Sequence, residues 1–138
     1  MHFTCLYLLK NKTLEEVSLC GIENDFGSRF CYACGEVVPK YKYLCDSFKI
    51  GGRWCDLLTA RNGIKGGFHG AIKMKKTPND KFSIAEIHDL KEPINIKTIY
   101  CVATLSRVYE DKETIAKFLN KINLHKIDGI VALIDCHD

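Results

Sequence analysis

Three short runs carry side chains able to do chemistry. They are His2-Phe3-Thr4 at the head of the chain, Asp46-Ser47-Phe48-Lys49-Ile50-Gly51-Gly52-Arg53-Trp54 in the middle, and Ile134-Asp135-Cys136-His137 at the tail. Successive strand side chains point to opposite faces, so Asp135 and His137 share one face of a closing strand. The run that starts at His2 is equally strand-like, and pairing of the two terminal strands would bring His2 to the same place. Two imidazoles and a carboxylate are the ligand types of a divalent-metal site that keeps open positions. The same trio suits acid–base catalysis, with the carboxylate orienting an imidazole that titrates near neutral pH. The plain alternative is a pair of exposed terminal histidines, with Asp135 capping its strand.

Arg53 follows two glycines, which combines a fork of side-chain donors with accessible backbone N–H groups and suits a phosphate or carboxylate. Gly51, Gly52, Trp54 and Asp46 belong to this candidate ligand-binding run, and Arg61, Lys65 and Gly66-Gly67 could extend its basic surface. Alternatively Arg53 ion-pairs with Asp46 or Asp56 while Trp54 fills the core. The spacing is not that of a P-loop. Cys31 and Cys34 have the two-residue gap of a zinc knuckle, and Cys45 with Cys55 could complete a structural site. A second CxxC pair is missing, so free cysteines are the preferred reading. Tyr41, Tyr43 and Phe48 interleave with Lys40, Lys42 and Lys49 as a single-stranded nucleic-acid platform would, but a solvated alternating strand has the same letters. His69 and His88 stand isolated and are assigned no chemistry.

The elements that must position these groups follow from periodicity. After the opening strand, Thr13 and Glu16 have capping-box spacing, which predicts a short helix over 14–20. Residues 22–45 read as irregular. Strand pieces are expected at 48–50 and 54–58, broken by Gly51-Gly52, and an exposed strand at 71–75. Ser83 and Glu86 repeat the capping-box spacing, predicting a helix over 84–90, and 98–105 reads as a buried strand. Asp111 caps the clearest helix, whose Ile115, Phe118, Leu119 and Ile122 form one stripe. Gly129 opens the last strand, with 130–134 central. The sum predicts a single α+β domain over 1–138, a mainly antiparallel sheet with two or three short helices on one face and the terminal strands close together.

Composition limits the options. The 138 residues can bury a real core, and 46% apolar with 27% charged residues is ordinary globular usage. A net charge of +3 is too small to indicate nucleic-acid binding by itself. No window approaches the roughly 20 apolar residues of a membrane span, and no basic leader precedes an apolar run, which predicts a soluble, cytoplasmic protein. Eight cysteines could belong to a disulfide scaffold, but Cys5, Cys101 and Cys136 sit in apolar strand runs as small buried hydrophobes would.

The three opening runs resemble those of a group of small uncharacterised bacterial and phage proteins. That group begins with a Ser-His-Phe-Thr strand, carries a central Asp-Trp-Tyr-x-Ile-Gly-Gly-Arg-Trp and ends in Val-Val-Asp-Cys-His. The matching residues here occur in the same order across nearly the whole chain. Two departures stand out: Ser47-Phe48 replaces the aromatic pair, and a Gly-Glu-Met-Gly-Trp-Trp-like stretch before the last helix is missing. The resemblance implies a shared architecture and a phage or mobile-element setting, and it supplies no reaction. The expected function is binding, with hydrolysis as the simplest chemistry, of a phosphate-bearing ligand such as a nucleotide. Arg53 would hold the anion, and a histidine would act as base or as ligand to a divalent metal. The first rival is a non-catalytic, anti-CRISPR-like inhibitor that binds a host defence protein or sequesters a ligand. The second is a zinc-bearing interaction module.

Overall fold

The longest aliphatic runs become the two central strands. β1 (His2–Lys10) and β10 (Gly129–His137) are buried almost throughout, as strands covered on both faces are. They pair antiparallel over their whole lengths, from His2 opposite His137 to Lys10 opposite Gly129. The structure, a computed structural model, describes residues 1–16, 47–65, 72–75 and 81–137. Outward from β10 run β7 (Ile84–Glu86), β4 (Asn62–Lys65) and β5 (Ile72–Lys75), and outward from β1 run β8 (Cys101–Ala103) and β9 (Val108–Tyr109). β2 (Ser47–Ile50) also pairs with β10, while β3 (Leu58–Thr59) and β6 (Lys81–Phe82) form a separate small ladder. All these pairings are antiparallel except β1 with β8. The fold is therefore α+β and mainly antiparallel, with one α-helix among the described residues where two or three helices are expected from sequence.

Strand alternation divides the core in two. Phe3, Cys5, Tyr7, Ala132, Ile134 and Cys136 occupy one face of the central pair. Leu6, Leu8, Val131 and Leu133 occupy the other, where Ile115, Leu119 and Ile122 of helix α1 (Lys112–Asn123) pack on them. Each of these fully buried aliphatic side chains contributes roughly 1.5–3 kcal/mol of transfer free energy. His2, Thr4, Asp135 and His137 continue this helix-bearing face, beyond the end of the apolar stripe.

α1 is held at both ends by its own sequence. Asp111 accepts from the Thr114 amide at 2.9 Å, and burial repeats at Ile115, Leu119 and Ile122 as the 3.6-residue period requires. At the far end His125 adopts φ 57°, its amide donates to the Ile122 carbonyl and that of Lys126 to the Lys121 carbonyl. That is the Schellman arrangement, built on histidine instead of the usual glycine. The Asn123 amide group then bonds both backbone groups of Ile94, tying the 91–99 segment to the helix.

Several expectations are corrected. The helix over 84–90 is instead β7 followed by a 3-10 turn, Ile87–Asp89, because Ile84 and Ala85 complete ladders with β4 and β10. The strand over 54–58 is replaced by a 3-10 turn, Gly52–Trp54, and by β3. The strand over 98–105 is shorter, since a 3-10 turn at Ile96–Thr98 precedes β8. β4 falls in a stretch to which no strand is assigned from sequence. Thr13 and Glu16 do meet, hydroxyl to carboxylate at 3.1 Å, around a turn, while 17–20 lie outside the described residues. No helix among the described residues is long and apolar enough to cross a membrane.

Candidate functional site

The site begins with a shared strand edge. β7 pairs with β10 at 130–132 and β2 pairs with it at 134–137, so both use the same side of β10 and meet at Leu133. There the Leu133 amide donates to the Ser83 carbonyl, and its own carbonyl accepts from the Gly51 amide. The chain leaving Ile50 finds its edge occupied and must turn off the sheet. Gly51 (φ 81°) and Gly52 (φ 53°) make that turn through backbone conformations that side chains disfavour. The resulting 3-10 turn lies against Asp135, and a Cβ on Gly52 would overlap its side chain, with Cγ only 2.8 Å away.

Asp135 is 7% exposed and held from two sides. Its Oδ1 meets His2 Nδ1 at 2.7 Å, and its Oδ2 accepts from the Arg53 backbone amide at 3.0 Å. A carboxylate accepts, so Nδ1 is the nitrogen that carries a proton here, and in the neutral tautomer this leaves the lone pair on Nε2. Burial of the acid is offset by these two donors, a charge-assisted arrangement that also fixes the imidazole. His137 packs edge-on against His2, ring centroids 4.6 Å apart at 65°, and limits its rotation. The sequence expectation that the terminal strands bring His2, Asp135 and His137 together thus matches the geometry. Arg53 joins the cluster through its backbone. Its side chain is exposed and makes no ion pair among the described residues.

A groove of about 720 Å³ opens beside the pair, with His2, Thr4, Trp54, Lys97, Tyr100 and Lys112 among its walls. A smaller cavity of about 180 Å³ adjoins it and shares Thr4, Trp54 and Thr98. Neither Arg53 nor His137 lines either cavity. Thr4, Lys97, Tyr100 and Lys112 were not singled out from sequence. Thr4 carries a signal that could have found it, since it shares the face of His2 two residues on, but Lys97 and Tyr100 arrive on the segment before β8 and Lys112 on the first turn of α1, and no local pattern reports where these dock.

The metal arrangement is less well served. The His2–Asp135 hydrogen bond already joins two of the three ligand atoms, and those of His2, Asp135 and His137 do not converge within 4.8 Å. Among the described residues, Glu86, His88 and Asp89 do, two half-buried acids and an exposed imidazole, with His88 Nε2 3.4 Å from Glu86 Oε1. Cys31, Cys34, Cys45, Asp46, Gly66, Gly67 and His69, with Tyr41 and Tyr43, lie outside the described residues. Cys55 is a half-buried thiol whose Sγ lies 3.6 Å from Ser83 Oγ, and Cys5, Cys101 and Cys136 are buried in the core. Lys65 lies over the Phe82 ring, and Arg61 donates its backbone amide to Asp89. Neither lines the groove. Phe48 packs half-buried on the core, and Lys49 is exposed. Comparison with protein families, with curated proteins and with solved structures finds no match for this chain.

Proposed function

We propose that this protein binds a phosphate-bearing ligand such as a nucleotide in the groove beside His2 and hydrolyses a phosphorus–oxygen bond in it. The observation that carries the reading is the 2.7 Å contact between His2 Nδ1 and Asp135 Oδ1, with the second carboxylate oxygen held by the Arg53 amide. A carboxylate that fixes the Nδ1–H tautomer leaves Nε2 ready to take a proton from water as the water attacks phosphorus. His2 is the general base in this reading, Asp135 orients it, and His137 steadies its ring. Lys97 and Lys112 line the same groove and supply positive charge for the anion, against the single carboxylate of Glu110. The groove volume falls within the roughly 300–1,000 Å³ of ordinary ligand sites. A phage or mobile-element setting, carried by the resemblance of the three runs, belongs to the same proposal.

The test is phosphate release from nucleoside mono- and triphosphates, with calorimetry of the same probes. Wild-type protein is expected to turn over at least one probe, and His2→Ala to lose about 100-fold or more of the rate while still binding it. Equal turnover by His2→Ala would remove the histidine from the mechanism. Tight binding without turnover would replace the hydrolase with a ligand sponge of the non-catalytic kind.

A further inference from the structure

The groove and its smaller neighbour adjoin, sharing Thr4, Trp54 and Thr98 as walls, and their chemistry differs. The groove holds His2, Lys97 and Lys112 together with one acid, Glu110. The smaller cavity is walled by Trp54, Leu57, Leu58, Pro93 and Ile94, with Glu92 and Asn95 as polar groups. Of the six large apolar side chains that stay exposed among the described residues, Leu57 lines the cavity and Ile96 and Tyr100 line the groove. Apolar surface gathered at one concave place and rimmed by polar groups marks a contact site. Trp54 forms a wall of both spaces, where a flat ring could stack.

We infer that the smaller cavity is a nucleobase subsite for a guanine-type base, so that the ligand is a purine nucleoside phosphate with its phosphate in the groove beside His2. This inference rests on the phosphate-binding reading given above. The polar groups select the base. Among the described residues Glu92 is engaged at Oε2 alone, by the Thr59 hydroxyl at 3.4 Å, and a carboxylate can accept from further donors. Asn95 uses its Oδ1 for the Lys97 amide at 2.9 Å, which leaves its NH₂ as a donor. Guanine has two adjacent N–H donors beside a carbonyl acceptor, the complement of a carboxylate next to an amide NH₂. Adenine offers the carboxylate one donor group and has no carbonyl. The 91–99 segment that carries both groups is tied to α1 by the two Asn123–Ile94 hydrogen bonds, so the subsite is preformed.

The experiment is calorimetric titration with GMP, AMP, guanosine and ribose 5-phosphate, read in parallel by fluorescence of Trp54, the only tryptophan in the chain. GMP is expected to bind with a change in Trp54 emission, about 10- to 100-fold tighter than AMP, the value of a hydrogen bond to a charged group. Glu92→Gln is expected to erase that preference and leave ribose 5-phosphate affinity unchanged. Ribose 5-phosphate binding as tightly as GMP, or AMP at least matching GMP, overturns the base subsite while the phosphate-binding reading stands. Guanosine binding as tightly as GMP keeps the subsite and overturns that reading. Failure of all four probes to bind overturns both.

Discussion

Asp135 is fixed by donors from two distant parts of the chain, and its carboxylate decides which nitrogen of His2 is free. Asp135→Asn keeps the size but brings an NH₂ that cannot accept from both neighbours, so the imidazole loses its enforced tautomer. The expected outcome is a folded protein whose phosphate release falls about 100-fold or more. Circular dichroism reports the fold and the rate reports the chemistry. The trio itself was legible in the sequence because a two-residue period puts Asp135 and His137 on one face and terminal-strand pairing adds His2. The role of Arg53 was legible only in part. Its guanidinium attracts attention in the sequence, yet the contact to the acid comes from its backbone amide, positioned by two left-handed glycines. Glu92 and Lys97 were invisible, since nothing local says that their loop docks against β1.

The best-read element is α1, because its cap, stripe and end all agree. The Thr114 hydroxyl and amide hold the Asp111 carboxyl below its ordinary value of 3.8. A depressed folded-state pKa contributes stability that is present above 3.8 and is lost as pH falls from there through the lower folded value. Asp111→Asn keeps an acceptor for the cap but no longer titrates. Wild type is therefore expected to lose more stability than this variant between about pH 5 and pH 3, as denaturant titrations at each pH would reveal. At the other end, His125 in the left-handed region is strained relative to glycine. His125→Gly is expected to stabilise by about 0.5–1 kcal/mol, measured as a shift in denaturation midpoint at constant slope. The capping-box spacing at Ser83 and Glu86 misleads for a physical reason. Ser83 is fully buried and its hydroxyl donates to Asp56 at 3.2 Å, while Ile84 and Ala85 gain two strand partners that an isolated helix turn could not match.

Over the whole molecule, the two ends of the chain form the centre of the sheet, and both of their faces are buried. The most protected amides in hydrogen exchange should therefore be those of residues 4–8 and 130–134, opening only with global unfolding, while β9 exchanges by local fraying at the sheet edge. Protection highest in α1 instead would show that the helix and not the terminal pair is the stability core. This closure of the chain on itself links fold to site, since the register that pairs Thr4 with Asp135 and His2 with His137 also delivers the imidazole to the carboxylate. The claim that His2 is a base oriented by Asp135 within a phosphate-ligand site is tested most directly by ¹⁵N NMR of the His2 imidazole at neutral pH, with and without added GMP. A proton on Nδ1, a bare Nε2 and a shift of Nε2 on nucleotide addition are the predicted result. A proton on Nε2 alone, or a His2 ring indifferent to saturating nucleotide, would contradict it.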